Sequence, residues 1–182
     1  MRLETERLIL RTPLQEDAGA MHALWHSEFV GKYNVLTPMS LEKMREKLAE
    51  DAESGTVVHL VLKSTGRVIG NFTANAPHPG ILQDERLAGM KGVSLSFAVS
   101  AQHQRKGYIS EALRSGIDVL FRYAHVDYIN CGYFDFNTAS AAVQKKFGFR
   151  YFSTHAFTPK GGTPVTVIEN ILTREEYFAS LN

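Results

Sequence analysis

Between Val93 and Phe134 the sequence changes period twice, and this limits the folds open to the chain. Val93–Ser100 (VSLSFAVS) is a short apolar run, and Asp127–Phe134 (DYINCGYF) is another. Runs of this length, rich in β-branched and aromatic residues, read as strands. The segment 107–123 between them carries Ile109, Ala112, Leu113, Ile117, Leu120 and Phe121 at helical spacing. A strand, a long amphipathic helix and a second strand predict a parallel pair joined by a crossover.

The flanking sequence supplies the other elements. Glu6–Thr12 alternates apolar and polar residues and predicts the first strand. Gln15–Ser27 predicts a helix with Ala18, Met21, Leu24 and Trp25 on one stripe. Ser40 is a good N-cap for a helix over 41–54, with Leu41, Met44, Leu48 and Ala52 as its apolar face and Gly55 as its stop. Val57–Lys63 and Arg67–Thr73 predict a hairpin around Ser64, Thr65 and Gly66. Residues 77–92 hold Pro77, Pro79, Gly80, Gly89 and Gly92 and predict a long loop. Thr138–Phe147 predicts a short helix ended by Gly148, and Phe149–Thr154 and Val165–Leu172 predict strands. Thr173 and Glu176 have the spacing of a capping box for a last helical turn. The order β α α β β β α β α β β predicts a mixed α/β domain with a largely antiparallel sheet.

Composition narrows the function classes. Lys plus Arg is 20 and Asp plus Glu is 19 over 182 residues, for a net charge of +1. That balance argues against a surface built to coat a nucleic acid. With 44% hydrophobic and 21% charged residues, disorder, collagen and coiled coil are excluded as the main state. The lone cysteine, Cys131, excludes an internal disulfide and a cysteine-rich zinc site, and it reads as a small buried hydrophobe. The opening MRLETERLIL lacks the apolar core of a signal segment, and no apolar run approaches the roughly 20 residues of a membrane span. A cytoplasmic protein without membrane or nucleic-acid partners is expected, as monomer or homodimer. His22 and His26 are four apart on a helix, yet no third ligand accompanies them, so no metal site is expected.

The chemistry is concentrated after the strand at 93–100. Ser100–Ala112 reads SAQHQRKGYISEA, and residues 101–110 contain Arg105 and Lys106 but no acid. It leads into the long helix, whose free N–H groups and dipole favour an anion. Gly107 would let backbone approach a phosphate closely. The stretch is neither a P-loop nor a dinucleotide fingerprint, since both glycine patterns are absent. Beyond the next strand stand Asn137 and Ser140, then Lys146-Phe147-Gly148-Phe149.

Together these stretches resemble the GNAT acyltransferase superfamily, and within it the Rim-type branch of ribosomal-protein N-terminal and small-molecule acetyltransferases. The first matches Q/R-x-x-G-x-G/A plus a Glu-Ala pair, as Gln104-Arg105-Lys106-Gly107-Tyr108-Ile109 and Glu111-Ala112. The second matches N-x-x-S/A with a K-x-G-F ending. The opening Glu4–Arg11 and the closing Leu172–Tyr177 also look like this branch. The resemblance spans nearly the whole chain and implies a single GNAT domain over 1–182, with about seven strands and about four helices. It implies acetyl-CoA as donor and direct attack by a primary amine, either a protein N-terminus or a small molecule. Backbone N–H groups of Gln104, Arg105, Lys106, Gly107, Tyr108 and Ile109 would bind the pyrophosphate. Backbone near Phe97, Ala98 and Val99 would polarise the thioester carbonyl. The strands at 93–100 and 127–134 would splay around the pantetheine. Asn137 would touch the cofactor arm, and the Ser140 hydroxyl would serve the departing thiolate.

Two positions depart from the family's pattern. Ile109 replaces a small residue where only the backbone N–H is needed. Ser94 stands where many relatives carry a glutamate base, and serine is no base on its own. His78, Asp84 and Glu85 in the preceding loop are the candidate replacements, with Glu85 placed beside Ser94 and Ser140 in the expected catalytic set. A water chain from such a group would serve equally. The absent carboxylate also leaves open a non-catalytic acyl-CoA-binding or sensor module. His59 is expected to be a packed or a surface histidine of its strand, His103 to lie beside the phosphate loop, and Glu111 to cap or salt-bridge. Trp25 in the first helix and Tyr33 in the loop after it are expected to pack in the core, although the family closes over the acceptor there. Gly161–Pro164 is expected to turn between the last two strands.

Overall fold

The computed structural model describes residues 2–33, 38–159 and 162–181. Among them are eight strands and seven α-helices, one strand and three helices more than the sequence led us to expect. The chain divides into two compact units, Met1–Thr73 with Phe97–Ser115, and Ala74–Ser96 with Gly116–Asn182.

The first unit opens with a hairpin of β1 (Arg2–Glu4) and β2 (Leu8–Arg11), where the sequence suggested one strand. Thr5 Oγ1 accepts from the Leu8 N–H at 3.1 Å and so builds the turn that the alternation alone did not reveal. A 3-10 turn at Gln15–Asp17 leads into α1 (Ala18–Trp25), followed by α2 (Glu28–Tyr33). The single helix expected over 15–27 is thus shorter, and Tyr33 lies on a helix rather than in a loop. The next helix, α3 (Leu41–Ser54), starts and stops where its caps predict. Ser40 Oγ accepts from the Lys43 N–H at 3.2 Å. Met44 and Leu48 are buried against Ala18, Met21, Leu24 and Val30, whereas Leu41 stays exposed. The hairpin strands β3 (Val57–Leu62) and β4 (Arg67–Asn75) follow. Strand order here is β1-β2-β3-β4, antiparallel where the register is defined, with the end of β5 (Gly92–Val99) beside β4.

The second unit carries the order β5-β6-β8-β7. Segment 77–92 is no open loop: it holds α4 (Pro79–Leu82) and a 3-10 turn at Glu85–Leu87. Ile81 and Leu87 pack with Tyr128 and Ile171 in a buried cluster. Proline at the first helical position and glycine within a four-residue helix hid that element in the sequence. Strand β5 pairs in parallel with β6 (Tyr128–Phe134) over three residue pairs, Gly92–Tyr128, Val93–Ile129 and Ser94–Asn130. The crossover helix is α5 (Tyr108–Arg122), which runs from the first unit into the second. Next come α6 (Thr138–Lys146), β7 (Arg150–Phe157), β8 (Val165–Thr173) and α7 (Arg174–Ala179). Thr173 and Glu176 form the expected capping box. The turn expected at Gly161–Pro164 lies partly outside the described residues.

Candidate active site

The basic loop of the first unit is built by two left-handed residues. After a 3-10 turn at Ala101–His103, Arg105 has φ 59° and Gly107 φ 82°. Only glycine adopts the second value without strain, so Gly107 turns the backbone directly into α5. The first helical N–H to find a partner is that of Glu111, 3.0 Å from the Gly107 carbonyl oxygen. The N–H groups of Tyr108, Ile109 and Ser110 therefore remain for an external acceptor. Arg105 and Lys106 are exposed beside them. The helix end thus offers donors, dipole and charge to one anion.

Glu111 holds this loop in place. It accepts from Thr5 Oγ1 at 2.5 Å, from the Arg7 N–H at 2.7 Å and from Arg7 Nε at 2.7 Å. Burial pushes its carboxyl up, but the bonds from Thr5 and Arg7 together hold it below the ordinary value. Arg7 also donates to the Lys106 carbonyl at 3.0 Å and stacks 4.6 Å from the Tyr108 ring centre. The structural role expected of Glu111 is the one observed. His103 lies beside the loop with Nδ1 2.7 Å from Ser100 Oγ, and burial and Lys106 lower its pKa. Gln104 Nε2 reaches the Val99 carbonyl at 3.4 Å, while Phe97 and Ala98 are half-buried on β5. A cleft of about 700 Å³ in this unit is lined by Arg11, Asp17, Leu24, Arg67 and Ser100 among others. His59 is fully buried, the packed one of its two expected placements, with Nδ1 2.7 Å from Asp17.

In the second unit the expected catalytic residues Ser94, Glu85 and Ser140 sit on three separate elements. Asn137 caps α6, its side-chain oxygen accepting from the Ser140 N–H at 3.1 Å. Ser140 Oγ accepts from Gln144 Nε2 at 3.1 Å, which leaves the hydroxyl proton free to donate elsewhere. Ser94 is half-buried in register with Asn130. Glu85 is exposed on its 3-10 turn. Asp84 is bound by Arg86 Nε and Nη2, each at 2.8 Å, and Arg86 pushes its pKa down to about 2. A carboxylate so neutralised is a poor proton acceptor near neutrality. His78 caps α4 by accepting from the Gly80 N–H at 3.1 Å, and its ring stacks 5.5 Å from that of His155.

Glu169, on β8, was not among the candidates. It is 6% exposed and accepts from Asn130 Nδ2 at 2.7 Å. Its carboxylate lies over Gly132, where an added Cβ would stand 2.8 Å from Oε2 and 2.9 Å from Oε1. Glycine at 132 is therefore what makes room for the carboxylate. Cys131, beside it, is buried, and burial followed by the Glu169 charge raises its thiol pKa strongly, so it is no nucleophile. The sequence held one signal for Glu169, a lone acid inside the apolar run Val165–Leu172.

Known proteins share this fold. The family description "Acetyltransferase (GNAT) domain" matches residues 7–150. The chain belongs to the GNAT acetyltransferase family and is an acyltransferase. No curated protein sequence matches it. Among solved structures it is similar to a GNAT-family acetyltransferase from Bacillus anthracis, at 20% identity and TM-score 0.83, covering 97% of this chain and 100% of that one. A ribosomal-protein-S5-alanine acetyltransferase from Vibrio fischeri is similar at 15% identity and TM-score 0.80, covering 97% and 98%. RimJ from Mycobacterium smegmatis, solved with CoA-disulfide, is similar at 20% identity and TM-score 0.76, covering 97% and 88%. These neighbours share the fold. No helix among the described residues is long and apolar enough to cross a membrane. No group of three His, Cys, Asp or Glu among them is placed to hold a metal ion.

Proposed function

We propose that the whole chain acts as one domain that transfers acetyl from acetyl-CoA to a primary amine, by direct attack while both substrates are bound. The observation that carries this reading is the left-handed turn at Gly107, followed by three N–H groups open to an acceptor and flanked by Arg105 and Lys106. That arrangement fits a pyrophosphate through backbone donors, helix dipole and two cations. Gln104 to Ile109 would hold the diphosphate, Phe97 to Val99 would polarise the carbonyl, and Asn137 would meet the pantetheine arm. Acetyl-CoA supplies an acyl group already activated as a thioester. Ser140 gives its hydroxyl proton towards the departing sulfur, with Gln144 fixing its orientation.

The acceptor amine is a protein N-terminus or a small molecule, and fold alone does not choose. A cytoplasmic setting suits this donor. The test is thiol release from acetyl-CoA over a panel of alanyl and seryl peptides, polyamines and aminoglycosides. Turnover with at least one amine is expected. CoA binding without release across the whole panel would instead identify a sensor module.

A further inference from the structure

We propose that Glu169 is the general base that takes the proton from the acceptor ammonium, filling the role left vacant at Ser94. The proposal rests on the acetyl-transfer reading above. Three features of the second unit carry it.

The first is how few partners the carboxylate has. Burying a carboxylate is costly unless several donors satisfy it. Among the described residues, Glu169 receives a single hydrogen bond, from Asn130 to Oε2. Oε1 has only His155 Nδ1 at 3.9 Å, beyond hydrogen-bond reach. A residue serving only to brace the fold would be expected to have its lone pairs filled. This one keeps them for a ligand, and an ammonium group supplies the missing charge and donors.

The second is its place. Asn130, which holds Glu169, is the residue paired in register with Ser94 across β5 and β6. The carboxylate therefore serves the neighbourhood in which a base was expected, although it arrives from β8. Gly132, its partner residue on β6, leaves the space it occupies.

The third is its link to the proposed acid. Gln144 Nε2 donates to Ser140 Oγ at 3.1 Å, and Asn170 Nδ2 donates to Gln144 Oε1 at 2.9 Å. Asn130 Nδ2 lies 3.3 Å from the Asn170 carbonyl oxygen and 2.7 Å from Glu169 Oε2. Gln144, Asn170 and Asn130 are all buried. One chain of amides thus fixes the hydroxyl and the carboxylate relative to each other. Glu169 and Asn170 are neighbours on a strand, so their side chains leave it on opposite faces. The carboxylate and the Ser140-bearing helix accordingly serve opposite sides of β8.

In the proposed step the ammonium passes one proton to Glu169, the freed amine nitrogen bonds to the acetyl carbon, and the carbon–sulfur bond breaks. The nitrogen passes its second proton to water, and the sulfur leaves as the thiol of CoA with the proton from Ser140, whose oxygen takes one back from water. Each carboxyl and hydroxyl then regains its starting state by exchange with water. The net products are the acetamide, CoA and one released proton.

The experiment compares wild type with Glu169→Gln, using the best acceptor from the amine panel at saturating acetyl-CoA. The substituted amide would keep an acceptor for Asn130, so the melting temperature and CoA affinity are expected to stay unchanged. The kcat is expected to fall by about 100-fold or more, the usual worth of a positioned base. That deficit should shrink as pH rises from 7 towards 10, because the free amine then needs no base. Among the described residues the groups near Glu169 are Asn130, His155 with the His78 ring stacked on it, and Cys131 on the other face of β6, and His155→Gln is measured in parallel as the imidazole control. Gly132→Ala, which crowds the carboxylate, is expected to cost roughly tenfold in kcat with CoA affinity intact. If Glu169→Gln fails to fold, Glu169→Asp takes its place and should show the same kcat loss in weaker form. A kcat within threefold of wild type would overturn the proposal. A raised KM with unchanged kcat would also overturn it, making Glu169 an anchor rather than a base. Wild-type protein that binds CoA and acetylates no amine would overturn the reading beneath it, and the proposal with it.

Discussion

Asp17 in the first unit and Glu169 in the second are equally buried, at 5% and 6% exposure, yet their surroundings differ. Asp17 accepts from Arg11 Nη1 and Nη2, each at 2.7 Å, and from the Leu14 N–H at 2.9 Å. His59 Nδ1 stands another 2.7 Å away. Burial pushes the Asp17 carboxyl up, but Arg11, His59 and Leu14 outweigh it and hold the group well below the ordinary carboxylate range. Glu169 has one amide donor. The difference teaches that depth alone does not assign a role to a buried charge. Asp17 ties the first 3-10 turn to strands β2 and β3 and has nothing left to offer a substrate. Glu169 has one oxygen held by Asn130 and, among the described residues, no hydrogen bond to the other.

The sharpest way to break this comparison is to neutralise each carboxylate in turn. Asp17→Asn should leave Arg11 partly buried without its counter-ion and cost about 3–5 kcal/mol in urea unfolding. Its kcat, measured while folded, should stay near wild type. Glu169→Gln should do the reverse. If Asp17→Asn abolished turnover in folded protein, the division of roles would fail.

Next in size is Gly107→Val. A β-branched residue at φ 82° is strained, and its Cβ would come 3.3 Å from Arg7 Nη2. A loop displaced by about 1–2 kcal/mol of strain should weaken CoA roughly tenfold, read by calorimetry. Unchanged affinity would mean that the turn does not shape the phosphate site.

The smallest effect is a slope in pH. The folded pKa of Asp17 lies below its reference value of 3.8, so its charged form is favoured by folding. The stability it contributes is full above that reference value and is lost as pH falls through the lowered folded value. Acid unfolding of Asp17→Asn below about pH 4 should therefore be shallower than that of wild type. Equal slopes would show that Asp17 is not the group responsible.

What the sequence revealed follows from how local each signal is. Helix α3 was legible because Ser40, Gly55 and the spacing of Met44 and Leu48 all lie within one short stretch. The parallel β5–β6 pair was legible because a long amphipathic helix between two apolar strands leaves little choice. Strand β1 spans three residues, and α4 is masked by proline and glycine, so neither carries a usable period. The turn before α5 was readable as a candidate phosphate motif, since the N–H groups it would use lie within a few residues of Gly107. Glu169 was not, because its meaning depends on Asn130, 39 residues earlier, and on the empty face of Gly132. Whether His59 packs or lies at the surface was not legible, because its partner Asp17 lies 42 residues away and left no mark in the strand's own sequence.

The central claim is that the turn before α5 is a CoA diphosphate site in a working acetyltransferase. Calorimetric titration of CoA into the wild-type chain tests it most directly. Saturable binding with a dissociation constant of about 10 μM or tighter is predicted, equivalent to about −7 kcal/mol, with a competing signal from pyrophosphate. No binding heat at millimolar CoA, in protein shown to be folded by its melting transition, would contradict it.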